Sequence, residues 1–166
     1  KISEIGKYLE DQGMPLAYHH HMGTVVETQE DTERLLDNTH DSVKLTLDTG
    51  HMLFAKGDSK KIFENYNDRL LHVHCKDIRR NVLEKSLKED LSFREAFLEG
   101  AFTVPGDGCI DYKPLFDILK KNSYSGWLVV EAEQDPKKAN PLEYAIKGYK
   151  YLNDTLKKSD IEIDRK

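Results

Sequence analysis

Cysteine is scarce in this 166-residue chain: Cys75 and Cys109 stand in different segments and have no CxxC spacing. A disulfide framework is therefore not expected, and a reducing cytoplasm is the expected location. Positive charge is also short, with 25 Lys and Arg against 30 Asp and Glu and a net charge of -5. With an isoelectric point near 5.8 and no basic stripe, a nucleic-acid partner is not expected. No apolar run approaches the ~20 residues of a membrane-spanning helix. Lys1 opens directly on a helical pattern, so a signal peptide is not expected. Neither GxGxxG nor the P-loop pattern occurs, which makes Pro105-Gly106-Asp107-Gly108 a tight turn before it is a phosphate cradle. Hydrophobic residues make up 38% and charged residues 33%, with a mean hydropathy of -0.68. The composition is that of a soluble globular domain with a lean core. The length suits one domain but falls short of a typical (β/α)8 barrel of about 250 residues.

What the chain does contain is an alternation of helical and strand patterns. Ile2, Ile5, Tyr8 and Leu9 have helical spacing that stops at Gly13. Residues 14–21 read as a strand, followed by the turn Met22-Gly23-Thr24, and Thr28 with Asp31 resembles a capping box that opens a helix through Leu35 and Leu36. A second strand over 43–47 runs into Asp48-Thr49-Gly50-His51, and a short helix over 59–66 turns Ile62 and Phe63 inward. A third strand covers 70–75, and the spacing of Leu83, Leu87, Leu91 and Phe97 predicts one helix over 82–97. A loop over 102–108, a helix over 112–121, a fourth strand over 127–131 and a helix from about Asn140 or Pro141 to Leu156 complete a domain over 1–156. Residues 157–166 read as a charged, frayed tail. Strands separated by helices imply parallel pairing. Four such units fit either a flavodoxin-like sheet or half of a (β/α)8 barrel.

The polar residues favour the barrel. Each strand ends in groups able to bind a metal: His19-His20-His21, Asp48, His74 and Glu131. In parallel α/β folds ligands gather at the C-terminal strand ends, and in a barrel those ends face one axis. Side chains alternate along a strand, so His19 shares a face with His21, and His72 with His74. Imidazole with carboxylate suits a divalent ion such as Mn2+, Co2+, Fe2+ or Zn2+. Each group also has a plainer reading. The histidine run looks like an expression-tag scar, although it is internal and continues a strand pattern. His72 lies deeper in its strand and reads as a structural hydrogen-bonder. Asp48 could simply cap a helix, and Glu133 and Asp135 could be loop charges.

Taken in order, Asp48-Thr49-Gly50-His51, His72-Val73-His74-Cys75-Lys76-Asp77, the Pro105–Gly108 loop and Val129-Val130-Glu131 resemble the xylose-isomerase-like barrel superfamily. That superfamily carries Glu on the fifth strand, Asp-x-x-His on the sixth, His-x-His-x-Lys-Asp on the seventh and Glu on the eighth. The resemblance therefore implies an α/β, (β/α)8 TIM-barrel type of fold, of which this chain covers about the last four βα units, a half barrel. Tyr18-His19-His20-His21-Met22-Gly23-Thr24, Phe102 to Gly108, Gly126 to Asp135 and Asn140-Pro141-Leu142-Glu143-Tyr144 look most like the inosose dehydratases of myo-inositol catabolism. One departure from the superfamily carries chemistry: histidine stands where epimerases carry the fifth-strand Glu. Imidazole keeps a metal ligand there and adds a group able to donate a proton near pH 7.

By that resemblance the expected activity is metal-dependent dehydration of 2-keto-myo-inositol, a cyclic polyol ketone, to a trihydroxycyclohexane dione. The implied metal ligands are His19 (or His21), Asp48, His74 and Glu131, with Mn2+ or Co2+ as the ion. The implied catalytic residues are His21, His51 and Lys76, and the implied substrate contacts are His51, Lys76 and Glu133. The alternatives are a sugar-ketone isomerase or epimerase on the same scaffold, and a catalytically incomplete half barrel that serves as an assembly unit. Free strand edges in a half barrel would invite self-association or pairing with an N-terminal half.

Overall fold

A computed structural model describes residues 1–164. In chain order the elements are α1 (Ile2–Asp11), β1 (Leu16–His19), α2 (Gln29–Asp37), β2 (Val43–Asp48), α3 (Thr49–Phe54), α4 (Ser59–Asn65), β3 (Leu70–Cys75), β4 (Asp77–Ile78), α5 (Arg80–Lys88), α6 (Phe93–Glu99), β5 (Phe102–Thr103), α7 (Tyr112–Lys121), β6 (Trp127–Val130) and α8 (Pro141–Lys158). β1, β2, β3 and β6 form one sheet in that order, with every neighbouring pair parallel. The strands are laid down side by side without the reversal of order that marks a flavodoxin-like sheet. No helix among the described residues is long and apolar enough to cross a membrane.

The two faces of the sheet differ. One face turns Leu45, Leu47, Val73 and Cys75 into a core shared with Leu36 of α2, Ile62 and Phe63 of α4, Leu115, Phe116 and Leu119 of α7, and Leu152 and Leu156 of α8. The opposite face leaves Trp127 66% exposed and Val129 36% exposed. Helices therefore cover one face of the parallel sheet and leave the other open.

Local chemistry accounts for most boundaries. The Thr28 and Asp31 capping box forms, with Asp31 N–H donating to Thr28 Oγ1 at 3.1 Å. Four sequence expectations need correction. The single helix expected over 82–97 is two, α5 and α6, because Asp90 adopts φ 52° and Ser92 with Glu95 makes a second capping box that restarts the helix. The loop expected at Phe102-Thr103 instead pairs antiparallel with Asp77-Ile78, closing a small apolar cluster of Phe54, Ile78, Leu83, Ala96, Ala101 and Phe102. The first strand stops at His19 rather than His21, since His21 N–H donates to Val26 O in a turn at 3.1 Å. Of the tail expected over 157–166, the first two residues belong to α8. Ser159 Oγ then donates to Asp117 at 2.8 Å, and Ile161 packs on the main core. Residues 165–166 lie outside the described residues.

Candidate metal centre and active site

Register brings the charged strand ends together. Asp48 pairs with His74 across β2 and β3, and Glu131 follows directly on β6, whose Val130 pairs with Cys75. Asp48 also caps α3, its Oδ1 accepting the N–H of His51 at 2.8 Å. That bond occupies one carboxylate oxygen and leaves Oδ2 for the site, so the capping role and the site role coexist. Oδ2 lies 3.7 Å from His19 Nε2 and 3.8 Å from His74 Nδ1, and His74 Nδ1 touches Glu131 Oε2. His19 Nε2, Asp48 Oδ2, His74 Nδ1 and Glu131 Oε2 are all buried and have no hydrogen-bond partner among the described residues. Burying a polar atom without a hydrogen bond costs about 1–3 kcal/mol. The nearest polar neighbours of these four are one another and Lys76 Nζ, 3.2 Å from Asp48 Oδ2, and a shared cation would offset that cost. Two imidazole nitrogens and two carboxylate oxygens fit a divalent first-row ion.

Beside this group stands a second one. Lys76, on the residue after β3, is fully buried. Its Nζ lies 2.8 Å from His51 Nε2, 2.9 Å from Glu133 Oε2, 3.2 Å from Asp48 Oδ2 and 3.2 Å from Glu131 Oε1. His21 Nε2 lies 3.4 Å from the other Glu133 oxygen, and the His21 and His51 ring centroids are 3.7 Å apart. The structure thus brings His19, His21, Asp48, His51, His74, Lys76, Glu131 and Glu133 into one cluster. Glu133 is part of it rather than a loop charge. His72 stays out of it, one pleat back along β3 and paired with Trp127 in register.

The family described as xylose isomerase-like TIM barrel matches residues 1–155. This chain belongs to that family. Among curated relatives it is 50% identical over 154 residues to an inosose dehydratase of Clostridium beijerinckii, covering 92% of this chain and 52% of that protein. It is 46% identical over 160 residues to the inosose dehydratase of Halalkalibacterium halodurans, covering 96% of this chain and 53% of that protein. The chain therefore spans about half the length of the curated relatives it matches. Solved structures give the same proportion. The IOLI protein with a bound zinc atom matches with a TM-score of 0.70 at 21% identity, over 95% of this chain and 54% of that one. The probable 3-DHS dehydratase AsbF from Bacillus anthracis matches with a TM-score of 0.70 at 17% identity, over 92% of this chain and 54% of that one. At these identities the likeness is one of fold.

In this xylose-isomerase-like frame the cluster sits at the C-terminal ends of parallel strands, where barrel chemistry is sited. Its charge state follows from the packing. Burial, the largest single influence on Asp48, pushes its pKa up. The contact with His19, the Lys76 charge and His51 outweigh that and hold the carboxyl well below the usual range. Burial likewise opposes ionisation of Glu133, yet His51 and Lys76 bring its pKa down to about 2. Burial also acts against a charged Lys76, but Asp48, Glu131 and Glu133 together raise its pKa. For His51, burial prevails over the pull of Glu133 and Asp48 and lowers the pKa. At neutral pH the cluster therefore holds ionised carboxylates, an ammonium and a neutral His51.

Sequence reasoning missed the supports of this arrangement. His20 is fully buried, and its Nε2 accepts the backbone N–H of Asp48 at 3.1 Å. The Lys76 carbonyl is fixed by Thr49 Oγ1 at 2.7 Å and by the Tyr112 hydroxyl at 3.0 Å. A Cβ on Gly50 would sit 2.8 Å from Lys76 Cγ, so glycine clears the path of the lysine stem. Phe93, at the start of α6, closes the side next to His21 with ring centroids 5.3 Å apart. The glycine in Asp48-Thr49-Gly50-His51 was a visible signal of close approach. Nothing in the sequence marked Phe93, because α6 was not resolved from α5.

Proposed function

We propose that the parent protein is an inosose dehydratase, eliminating water from 2-keto-myo-inositol to give a trihydroxycyclohexane dione, and that this chain is the C-terminal half of its barrel. The observation that carries the reading is the gathering of His19, Asp48, His74 and Glu131 at the strand ends, each with a buried polar atom that makes no hydrogen bond among the described residues. The identity with named inosose dehydratases across nearly the whole chain supports the choice of substrate. Of the two histidines first considered as ligand, His19 is favoured. Its Nε2 is an orphan beside Asp48, whereas His21 Nδ1 bonds to Met22 O at 2.7 Å and its Nε2 faces Glu133.

What a divalent ion, Mn2+ or Co2+, supplies when bound by these four residues is Lewis acidity toward a ketone oxygen. The remaining chemistry belongs to the second group. Elimination requires that a base take the proton next to the ketone and that an acid protonate the β-hydroxyl, so that the C–O bond breaks and water leaves. His21 and His51, whose tilted rings lie side by side with centroids 3.7 Å apart, are the proton carriers. His51 is neutral and able to accept, and His21 is the more accessible of the pair. Lys76 holds a positive charge opposite the electron density that develops at the ketone oxygen. Lys76, His51 and Glu133 also offer the donors and acceptors that orient the ring hydroxyls.

The test is Asp48→Ala and Glu131→Ala in the full-length enzyme. Both variants lose bound metal and at least 100-fold in dione production from 2-keto-myo-inositol, followed by absorbance. Retention of metal and turnover by both would sink the site assignment. Consumption of the substrate without dione would point to an isomerase or epimerase instead.

A further inference from the structure

The cluster holds more ligating atoms than one ion needs. Asp48, His74 and Glu131 form one set of donor atoms within 4.8 Å of one another, and His21, His51 and Glu133 form another. Lys76 Nζ stands where the two sets meet, within 3.2 Å of Asp48, Glu131 and Glu133 alike and 2.8 Å from His51 Nε2. Those are the neighbours a second cation would take. We propose that the Lys76 ammonium occupies the place of a second divalent ion, so that His21, His51 and Glu133 form a latent metal site that Lys76 keeps closed.

Charge balance makes the argument quantitative. Three carboxylates, Asp48, Glu131 and Glu133, face one ammonium. One divalent ion in the first set neutralises the cluster, and a second would leave two uncompensated positive charges at a site where Lys76 and Asp48 are fully buried. Uncompensated charge in such surroundings is strongly disfavoured. The ammonium cannot readily withdraw. Its main-chain carbonyl is pinned by Thr49 and Tyr112, and its stem runs in the gap left by Gly50. Replacing Lys76 with an uncharged residue reverses the balance. With one ion bound, the cluster then carries one net negative charge and a free set of two imidazoles and a carboxylate, a donor set that binds first-row ions well.

The inference rests on the first set holding an ion, and metal stoichiometry in the full-length protein separates the two. After loading with excess Mn2+ and desalting, the native protein retains one ion per chain by elemental analysis. K76M retains two, with the spin-coupled resonance spectrum of a manganese pair, and K76M combined with E133Q returns to one. E133Q alone keeps one. Two ions in the native protein, one ion in K76M, or loss of the single ion from E133Q would overturn the proposal. No ion in the native protein would instead remove the metal-centre reading itself, and this inference with it. Should K76M not fold, K76Q places a polar uncharged side chain at the same position, and one ion in that variant is likewise decisive against the latent site.

Discussion

His20 shows how a single buried residue fixes the site without entering it. Its Nε2 accepts the Asp48 N–H, so the neutral ring carries its proton on Nδ1, which finds no partner among the described residues. Burial, the dominant influence, lowers its pKa from 6.5 to about 3. The sign of the pH effect follows from proton counting. Below 6.5 the unfolded chain binds a proton that the folded chain refuses until about pH 3, so stability falls as pH falls through that window. The limiting slope is about 1.4 kcal/mol per pH unit for one such group. Urea unfolding in EDTA between pH 7 and pH 4.5 should show this loss, and His20→Gln should flatten it by about one proton. A slope unchanged by the substitution would place the proton uptake elsewhere. The sequence showed three histidines here without separating them. His19, His20 and His21 differ only in where the chain leaves β1, and that depends on a turn bond to Val26 and on the proximity of Asp48, 28 residues away.

At the scale of elements, the end of the sheet opposite the site is tied by Arg69, between α4 and β3. Its guanidinium donates to Val43 O at 2.7 Å, Leu36 O at 2.8 Å, Thr39 Oγ1 at 2.8 Å and His40 O at 3.1 Å. The link between α2 and β2 is thereby pinned to the start of β3. Arg69→Met leaves buried carbonyls without donors and should cost about 3 kcal/mol or more, while Asp41→Asn, whose carboxylate is exposed, should change stability by under about 0.5 kcal/mol. Because the site lies at the other strand ends, metal stoichiometry of folded Arg69→Met should stay native; urea midpoints and elemental analysis read the two quantities separately. The sheet strands were legible in the sequence because their apolar runs are bounded by turn residues. The β4–β5 pair and the break between α5 and α6 were not. Two-residue strands carry no periodicity, and Leu83, Leu87 and Leu91 keep helical spacing through a chain that turns at Asp90. Asp48, His74 and Glu131 were legible for the reason Lys76 was only half so. Strand ends announce position, but the contact of Lys76 with Glu133, 57 residues on, is a matter of tertiary structure.

For the whole molecule, the open face of the sheet sets the terms. β1 and β6 are the edges of the four-stranded sheet, and the uncovered side carries Trp127 at 66% and Val129 at 36% exposure. In the helical layer on the other face, α8 also exposes Leu142, Ile146 and Tyr149 at helical spacing. A chain spanning half of its relatives and leaving two parallel edges free has backbone donors and acceptors to satisfy as well as apolar area to cover. On the proposed reading of this chain as half of a barrel, pairing with the other half would do both at once, since β6 and β1 would each gain a parallel neighbour. Denied that half, the 166-residue chain is expected to associate with itself. Sedimentation should give a mass above the 19.2 kDa of one chain, and the double variant Trp127→Asp and Val129→Lys should return it toward the monomer. An N-terminal half supplied in trans should compete with self-association and shift Trp127 fluorescence to shorter wavelength as the indole is covered. A chain that sediments as a monomer, with Trp127 still solvent-exposed at high concentration, would mean that the open face is tolerated by itself.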